Sequence, residues 1–295
     1  MNLSLPRSFP IAKAALAAAV ITCAFALACS LIGCASGGTD SSSADAGNPS
    51  ASTDGKTLRV AMELAYPPFE TKDDAGNPEG LAVDFIRDFG AAYGYDVQIE
   101  NTAWDGLIPS LQSDKADLVI SSMTITDERK QSVDFSDAYA MAQLAILANA
   151  DSGVASIDDL NQPGKKVAVK TGSTGDVYAT KNLTNAEIVR LADESACVTE
   201  VVQGKADGFL YDQLTIYRNH QANPDTTEAV FIPFQDAEEW GIAVKKGNTE
   251  LLDQLNAFIA QSKTDGEFDR LTEKYLADEK KAFDQYGFKW FFDFE

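Results

Sequence analysis

Short apolar runs alternate with amphipathic segments along the chain from about residue 57 onward. Segment 81–89 carries apolar residues spaced by three and four positions, which predicts an amphipathic helix. The apolar runs have the length of buried strands and cover residues 58–62, 117–120, 166–169 and 208–211. Strands that alternate with helices indicate βαβ units and mostly parallel sheets. The pattern therefore predicts an α/β fold.

Polar or small residues follow each predicted strand directly. They are Glu63 and Tyr66 after the first strand, Ser121, Ser122 and Thr124 after the second, Lys170, Ser173, Thr174 and Gly175 after the third, and Asp212 after the fourth. In open α/β sheets, ligands bind outside the carboxyl ends of the strands, where backbone N–H groups point outward. Arg129 and these N–H groups suit a carboxylate, and Glu63 or Asp212 suits an ammonium group. A zwitterion is therefore the expected kind of ligand.

Each of these residues also has a simpler structural interpretation. Serines and threonines after a strand are common helix N-caps, and Gly175 suits a turn. Arg129 would equally suit a surface ion pair with a helix acid. Hydrophobic periodicity alone does not join residues so far apart in the sequence into one site, so both interpretations stay open at this point.

The N-terminal segment has the features of an export signal. Residues 14–33 carry no charge and follow Arg7 and Lys13, a pattern typical of secretory leaders. The run LIGC that ends at Cys34 is similar to a bacterial lipobox, which implies cleavage before Cys34 and lipidation of that cysteine. The alternative is an uncleaved transmembrane anchor, since the apolar run is close to the length that a bilayer requires.

Composition limits the possible partners. The chain has 24 Lys and Arg against 45 Asp and Glu, a net charge of −21, so nucleic-acid binding is excluded for lack of a basic face. A hydrophobic content of 45% is too high for a disordered protein. Past the lipidation site Cys34, Cys197 is the only cysteine, so no internal disulfide is expected. With one histidine, His220, and no Cys/His cluster, we expect neither a metal nor another cofactor.

Five stretches of the chain match the motifs of a known family in order and spacing. They are LRVAMELAYPPFE (58–70), WDGLIPSLQSDKADLVISSMTITDERKQSVDFSDAY (104–139), KKVAVKTGSTGDVYA (165–179), KADGFLYDQ (205–213) and EWGIAVKKG (239–247). Through them the chain resembles family 3 of the extracytoplasmic solute-binding proteins, the polar amino-acid receptors of ABC importers. The resemblance implies a type II periplasmic-binding-protein fold, in which two α/β lobes close on the ligand about two crossover segments.

The resemblance also implies how the chain is divided. The crossovers would match residues 139–143 and 235–240. The expected segments are a signal peptide at 1–33, a flexible Gly/Ser-rich linker at 34–56, a first lobe at 57–140 and 240–295, and a second lobe at 141–239. The lobes would lie outside the cytoplasm, tethered to the membrane by a lipid anchor, and would act as a monomer that delivers its ligand to an ABC permease.

Several site roles carry over by motif. Arg129 matches the arginine that binds the ligand's α-carboxylate with a bidentate fork, and Thr124 and Thr174 match positions that add donors to that carboxylate. Asp212 matches the acid that pairs with the α-ammonium group. The other matches are Ser122, whose backbone carbonyl would assist Asp212, and Tyr66 and Trp104, an aromatic pair that would sandwich the ligand side chain.

The identity of the ligand side chain depends on positions that vary within the family, chiefly Glu63, Lys170 and Gly175. Glu63 with Lys170 resembles the glutamine-binding branch, because an acceptor and a donor would address one side-chain amide. Gly175 would leave room for a larger side chain. Glutamine is therefore the first prediction, and arginine or another cationic amino acid is the alternative.

Two other functions are compatible with such a fold. Some dehydratases, of the cyclohexadienyl dehydratase type, resemble this family, but catalysis would need a poised acid or base. Glu63 and Asp212 have simpler roles as counter-charges, so we expect no enzyme. A sensor ectodomain would be followed by a transmembrane helix and signalling domains, and we do not expect that function here.

The C-terminal segment from Phe283 carries many aromatic residues beyond the point where family members often end. An exposed C-terminal segment of this kind would favour non-specific association or aggregation. We expect the segment to fold back onto a lobe and to bury its aromatic side chains. The alternative is contact with a permease, the membrane or the second lobe.

Overall fold

The computed structural model describes residues 56–286 and 289–294. The predicted signal peptide, the lipidation site Cys34 and all but the last residue of the predicted linker lie outside these ranges. Within them, no helix has both the length and the hydrophobicity to cross a bilayer.

The strands are β1 (Lys56–Met62), β2 (Thr71–Lys72), β3 (Pro78–Glu79), β4 (Tyr95–Asn101), β5 (Leu118–Val119), β6 (Val133–Phe135), β7 (Ala140–Ala142), β8 (Leu144–Asn149), β9 (Lys166–Lys170), β10 (Glu187–Leu191), β11 (Gly208–Asp212), β12 (Thr227–Val230), β13 (Glu238–Trp240) and β14 (Ala243–Lys245). The helices are α1 (Leu81–Tyr93), α2 (Leu107–Gln112), α3 (Asp127–Lys130), α4 (Ile157–Leu160), α5 (Thr174–Asn182), α6 (Glu194–Val202), α7 (Gln213–Ala222), α8 (Thr249–Ser262), α9 (Glu267–Tyr275) and α10 (Ala277–Tyr286).

The first five-stranded sheet has the order β4-β1-β5-β14-β6. Strand β1 pairs in parallel with β4 and β5, whereas β14 runs antiparallel to β5 and β6. Helix α1 buries the apolar stripe that its spacing predicted, so that Leu81, Phe85 and Phe89 are fully buried in the core of this sheet.

The second five-stranded sheet has the order β10-β9-β11-β8-β12. Strand β9 is parallel to β10 and β11, and β8 is antiparallel to β11 and β12. Alternate residues of β9 belong to different apolar clusters, with Val167 and Val169 in one and Ala168 in the other. This period of two shows that both faces of the sheet are covered.

The α/β class is confirmed, and the four predicted strands lie within β1, β5, β9 and β11. The prediction of mostly parallel sheets is only half right, because each large sheet also contains two antiparallel pairings. The antiparallel pairings are made by β8 and β14. These are the strands that the chain enters directly after crossing from one sheet to the other.

The crossings are held together by a two-stranded antiparallel ribbon of β7 and β13, in which Trp240 lies opposite Ala140. Apart from β2 and β3, which pair only with each other, the strands before β7 and after β13 belong to the first large sheet, and the strands between β7 and β13 build the second. The ribbon therefore lies at the predicted crossovers. The exact lobe boundaries stay a prediction.

The aromatic C-terminal segment packs against this ribbon. Phe291 is fully buried, with ring centroids 5.1 Å from Phe69 and 5.5 Å from Trp240. Its backbone carbonyl accepts a hydrogen bond of 2.7 Å from the N–H of Met141 in β7. Because Phe283 and Trp290 are also buried, the expectation that the segment folds back is confirmed for the described residues.

Candidate functional site

A narrow cleft lies where strands of both large sheets end. Ten of the twelve predicted site residues line it: Glu63, Tyr66, Trp104, Ser121, Ser122, Thr124, Arg129, Ser173, Thr174 and Asp212. Lys170 and Gly175 do not line it. The lining also includes five residues that sequence reasoning did not single out: Glu70, Leu144, Tyr211, Glu238 and Trp240. The strand-end rule thus locates most of the cleft.

Lys170, at the end of β9, lies behind the cleft wall with a side chain only 2% exposed. It forms an ion pair with Glu63 and a second one of 3.1 Å with Glu194. Burial opposes the ammonium charge, but the carboxylates of Glu194 and Glu63 hold the pKa of Lys170 above its ordinary value. Burial in turn raises the pKa of Glu194. The three groups carry a formal charge of −1.

Sequence reasoning missed Glu194 because it missed the strand before it. Strand β10 carries charged residues at Glu187 and Arg190, so it does not read as an apolar run. Asp193 caps helix α6 by accepting a hydrogen bond from the N–H of Ala196, and Glu194 is the first residue of that helix. The strand-end rule applied to β10 would have found it.

Trp104 and Arg129 line the cleft next to each other. The guanidinium carbon of Arg129 and the Nζ atom of Lys170 each lie 5.2 Å from the ring centroid of Trp104, within cation–π distance. Arg129 donates one hydrogen bond of 2.7 Å to the carbonyl of Thr124 and another of 3.2 Å to the carbonyl of Gly172. Its guanidinium therefore joins segments that belong to the two large sheets. Binding of a ligand carboxylate by Arg129 stays a prediction.

Tyr66 and Asp212 meet across the cleft. The Tyr66 hydroxyl donates a hydrogen bond of 2.8 Å to Oδ1 of Asp212, and its ring stacks on Phe69 at 5.5 Å. Asp212 also caps helix α7, since its carboxylate accepts from the N–H groups of Leu214 and Thr215 and from the Thr215 hydroxyl. Burial raises the pKa of Asp212, against these hydrogen bonds. Its predicted role toward an ammonium group is thus combined with a structural one.

Ser121 and Ser122 shape the loop beyond β5. The Ser121 hydroxyl accepts a hydrogen bond of 3.0 Å from the N–H of Glu63, which ties the ends of β5 and β1 together. Ser122 has a φ of 48°, a left-handed conformation that is uncommon for a residue with a side chain. Such backbone strain is concentrated at functional sites. Its hydroxyl donates a hydrogen bond of 3.2 Å to Glu70.

Ser173 and Gly175 have structural roles at the start of helix α5. The Ser173 hydroxyl accepts from the N–H of Asp176, as the N-cap interpretation expected. At Gly175, an added Cβ would lie 2.4 Å from the carbonyl oxygen of Leu210. The prediction that Gly175 makes room for the ligand is therefore corrected, because glycine there permits the close approach of helix and strand.

Glu238 is the most consequential residue that sequence reasoning missed. Its Oε2 atom accepts hydrogen bonds of 2.9 Å from the Thr124 hydroxyl and 2.7 Å from the Thr174 hydroxyl. Its Oε1 atom accepts one of 2.7 Å from the side-chain amide of Gln235. Burial raises the pKa of Glu238, while these hydrogen bonds and the charge of Arg129 act in the opposite direction. The matched family stretch began one residue later, so nothing singled it out.

Glu70 is a third acid that sequence reasoning missed, and it is 1% exposed. Burial raises its pKa well above the ordinary value, and the nearby acids Glu194 and Glu63 act in the same direction. The Ser122 hydroxyl is its hydrogen-bond donor. In the sequence, Glu70 follows an apolar run like any surface acid, so its burial could not be inferred.

Carboxyl groups outnumber cations in and directly behind the cleft. The carboxyl groups are Glu63, Glu70, Glu194, Asp212 and Glu238, and the cations are Lys170 and Arg129. Even with Glu70 protonated, four carboxylates face two cations. A ligand with positive charge would therefore be favoured.

The residues that could support other chemistry lie elsewhere. Within residues 56–286 and 289–294, no three His, Cys, Asp or Glu side chains are arranged to bind a metal ion. His220, in helix α7, lies 3.3 Å from the Thr227 hydroxyl and does not line the cleft. Cys197 is fully buried, and burial raises its pKa to about 12, which makes it a poor nucleophile.

Comparison with known proteins identifies the family. The model of the bacterial extracellular solute-binding proteins, family 3, matches residues 58–278. The chain belongs to this family. A probable histidine-binding protein of Neisseria gonorrhoeae is 37% identical over 262 residues, covering 87% of this chain and 95% of its own. An L-arginine-binding protein of Pseudomonas aeruginosa is 33% identical over 253 residues, covering 79% of this chain and 90% of its own.

Solved structures confirm the two-lobed type II periplasmic-binding-protein fold of this family member. An ancestral arginine-binding protein bound to arginine is 36% identical, with a TM-score of 0.69 over 75% of this chain and 98% of its own. An ancestral amino acid-binding protein described as a precursor of cyclohexadienyl dehydratase is 38% identical, with a TM-score of 0.68 over 74% of this chain and 94% of its own. The predicted family and fold are both confirmed.

Proposed function

We propose that this family member is the receptor of an ABC importer and binds a polar α-amino acid in the cleft, with a cationic side chain as the first candidate. Arg129 would bind the α-carboxylate, for which its fork is suited. Asp212 would pair with the α-ammonium group through Oδ2, which accepts a single hydrogen bond from the residues that the structure describes, from the Thr215 hydroxyl. Tyr66 and Trp104 would contact the side chain from the cleft walls.

The observation that carries the choice of a cationic ligand is the pairing of Lys170 with two carboxylates. Glu63 alone would be neutralised by Lys170, but Glu194 adds a second negative charge to the same lysine. A guanidinium, ammonium or imidazolium group near Glu63 would compensate the excess. The similarity to proteins named for histidine and arginine supports this choice.

Glutamine is the second candidate, on the separate observation that Glu63 and Lys170 are in contact. An acceptor and a donor side by side could address the oxygen and the NH₂ group of one amide. This requires the ligand to share or replace part of the ion pair. The net negative charge of Glu63, Glu194 and Lys170 would then have to be compensated by protonation of a carboxylate, because glutamine has no charge on its side chain.

The remaining parts of the proposal follow from the family. The lobes would close about the ribbon of β7 and β13 and hand the amino acid to a permease outside the cytoplasm. The chain would act as a monomer, held at the membrane by a lipid on Cys34. We propose no enzymatic activity, because each cleft acid has a charge-pairing or hydrogen-bonding partner that explains its presence.

A ligand panel tests the proposal. The purified protein is unfolded, dialysed and refolded to remove any amino acid carried through purification, and its melting temperature is measured with each of the twenty amino acids, cystine and ornithine. A ligand at ~1,000 times its Kd stabilises by about 4 kcal/mol, and each kcal/mol raises the Tm by ~2–4 °C for a chain of this size. Shifts with arginine, lysine or histidine support the cationic candidate, and a shift with glutamine alone supports the second. No shift with any amino acid would overturn the proposal.

A further inference from the structure

The carboxylate of Glu238 occupies a position between the two large sheets. Thr124 follows β5 of the first sheet, and Thr174 begins α5, which follows β9 of the second. Both threonine hydroxyls donate to the same oxygen, Oε2 of Glu238, at 2.9 and 2.7 Å. Thr124 and Thr174 are the two residues to which the family resemblance assigns hydroxyl or backbone donors for the carboxylate of the ligand.

A threonine hydroxyl has one hydrogen and can donate it to one strong acceptor at a time. While Thr124 and Thr174 donate to Glu238, neither can donate to a second carboxylate. A ligand carboxylate close enough to take over these donors would also approach the charge of Glu238, and like charges at such distances repel. Glu238 and a ligand carboxylate therefore exclude each other at these two donors.

Two further neighbours stabilise the Glu238 carboxylate in this position. Its second oxygen accepts a hydrogen bond from the Gln235 amide, and both residues belong to the segment by which the chain returns to the first sheet. Arg129, the predicted partner of the ligand carboxylate, lies close enough for its charge to stabilise that of Glu238. The environment of Glu238 thus contains the groups that an amino-acid carboxylate would need.

We propose that Glu238 is an internal competitor for the α-carboxylate of the ligand. In the unliganded protein it occupies the carboxylate position, and binding of an amino acid requires it to release both threonine hydroxyls. The inference rests on the proposed function, since it presumes an amino-acid ligand. Its consequence is that Glu238 weakens binding and eases release, whereas most residues of the cleft strengthen binding.

Titration calorimetry on the refolded protein tests the inference, with L-arginine, L-lysine, L-histidine and L-glutamine as probes. Glu238→Ala frees both hydroxyls, and Glu238→Gln keeps the shape while removing the charge. We expect both variants to bind the same amino acid as the wild type, about tenfold more tightly or better. Glu239→Gln is the matched control, because the neighbouring acid is exposed and does not line the cleft; its affinity should not change.

A double-mutant cycle with Thr174→Val separates competition from positioning. Under competition, loss of the Thr174 hydroxyl costs more affinity in the Glu238→Ala background than in the wild type, because only there is the hydroxyl free for the ligand. If Glu238 merely oriented Thr174, the cost would be smaller in that background. Unchanged or weaker binding by both Glu238 variants, with a wild type that binds, overturns this inference alone. A wild type that binds none of the probes or the panel overturns the proposed function itself.

Discussion

The Tyr66 hydroxyl donates a 2.8 Å hydrogen bond to the carboxylate of Asp212, although 146 positions separate the two residues in the chain. Tyr66 lies beyond β1 of the first large sheet, and Asp212 ends β11 of the second. Both side chains are buried. The acid proposed to bind the ligand's ammonium group is therefore also a contact between the two sides of the cleft.

This arrangement predicts different effects for two substitutions. Asp212→Asn keeps an N-cap oxygen for helix α7 but removes the negative charge, so the affinity for any α-amino acid should fall about tenfold to a hundredfold. Tyr66→Phe removes only the hydroxyl and should weaken binding much less. Calorimetric titration of both variants measures the difference. Equal affinities for wild type and Asp212→Asn would remove Asp212 from the ammonium site.

The second carboxylate on Lys170 predicts a change in selectivity. Glu194→Gln removes the excess negative charge and leaves the Glu63–Lys170 pair, so binding of L-arginine should weaken by about tenfold while L-glutamine is little affected. The ratio of the two dissociation constants measures the effect. Glu228→Gln is the control, because Glu228 is an exposed acid of β12, which belongs to the same sheet as the strand that carries Lys170. If both ligands weakened equally, the charge argument for a cationic side chain would be wrong.

The sequence predicted the parts of the site that follow apolar strands. The apolar runs predicted within β1, β5, β9 and β11 are followed by polar residues, most of which line the cleft, as Asp212 does, although Lys170 lies behind its wall. Glu194 was missed because β10, the strand before it, carries charged residues at Glu187 and Arg190. Hydrophobic periodicity detects a strand by its buried apolar residues, so it does not detect a strand in which most positions are at least partly exposed.

Glu238 and Glu70 show a different limit. An acid in the sequence carries no sign of whether it will be buried, and burial is what gives these two residues their raised pKa and their hydrogen bonds to Thr174 and Ser122. Gly175 shows the reverse case, since its contact with Leu210 depends on how helix α5 packs on β11. Such roles arise from tertiary packing and not from local pattern.

Glu70 predicts how stability depends on pH. Its folded pKa is raised well above the ordinary value of 4.5, so above pH 4.5 the folded state retains a proton that the unfolded state releases. The contribution of Glu70 to the free energy of unfolding therefore falls as pH rises from about 4.5 to the folded pKa. Glu70→Gln should remove this dependence and raise stability at neutral pH relative to the wild type.

Urea denaturation of both proteins at a series of pH values measures this difference. The Glu70→Gln and wild-type curves should approach each other at the acidic end of the series and separate toward neutral pH. Asp74→Asn, at an exposed acid near β2, controls for the general effect of removing one negative charge. A Glu70→Gln variant that is less stable than the wild type at neutral pH would show that the carboxylate is charged and stabilising.

The C-terminal aromatic segment predicts a large loss of stability at one position. Phe291 is fully buried between Phe69 and Trp240, so Phe291→Ala should lower the free energy of unfolding by about 3–5 kcal/mol through lost burial and the cavity left behind. Ile232→Ala is the control, because Ile232 is 62% exposed and its truncation should cost little. Urea denaturation measures both changes. A small loss at Phe291 would mean that the segment does not brace the β7–β13 ribbon in solution, and contact with a permease or the membrane would then become the better explanation of its aromatic residues.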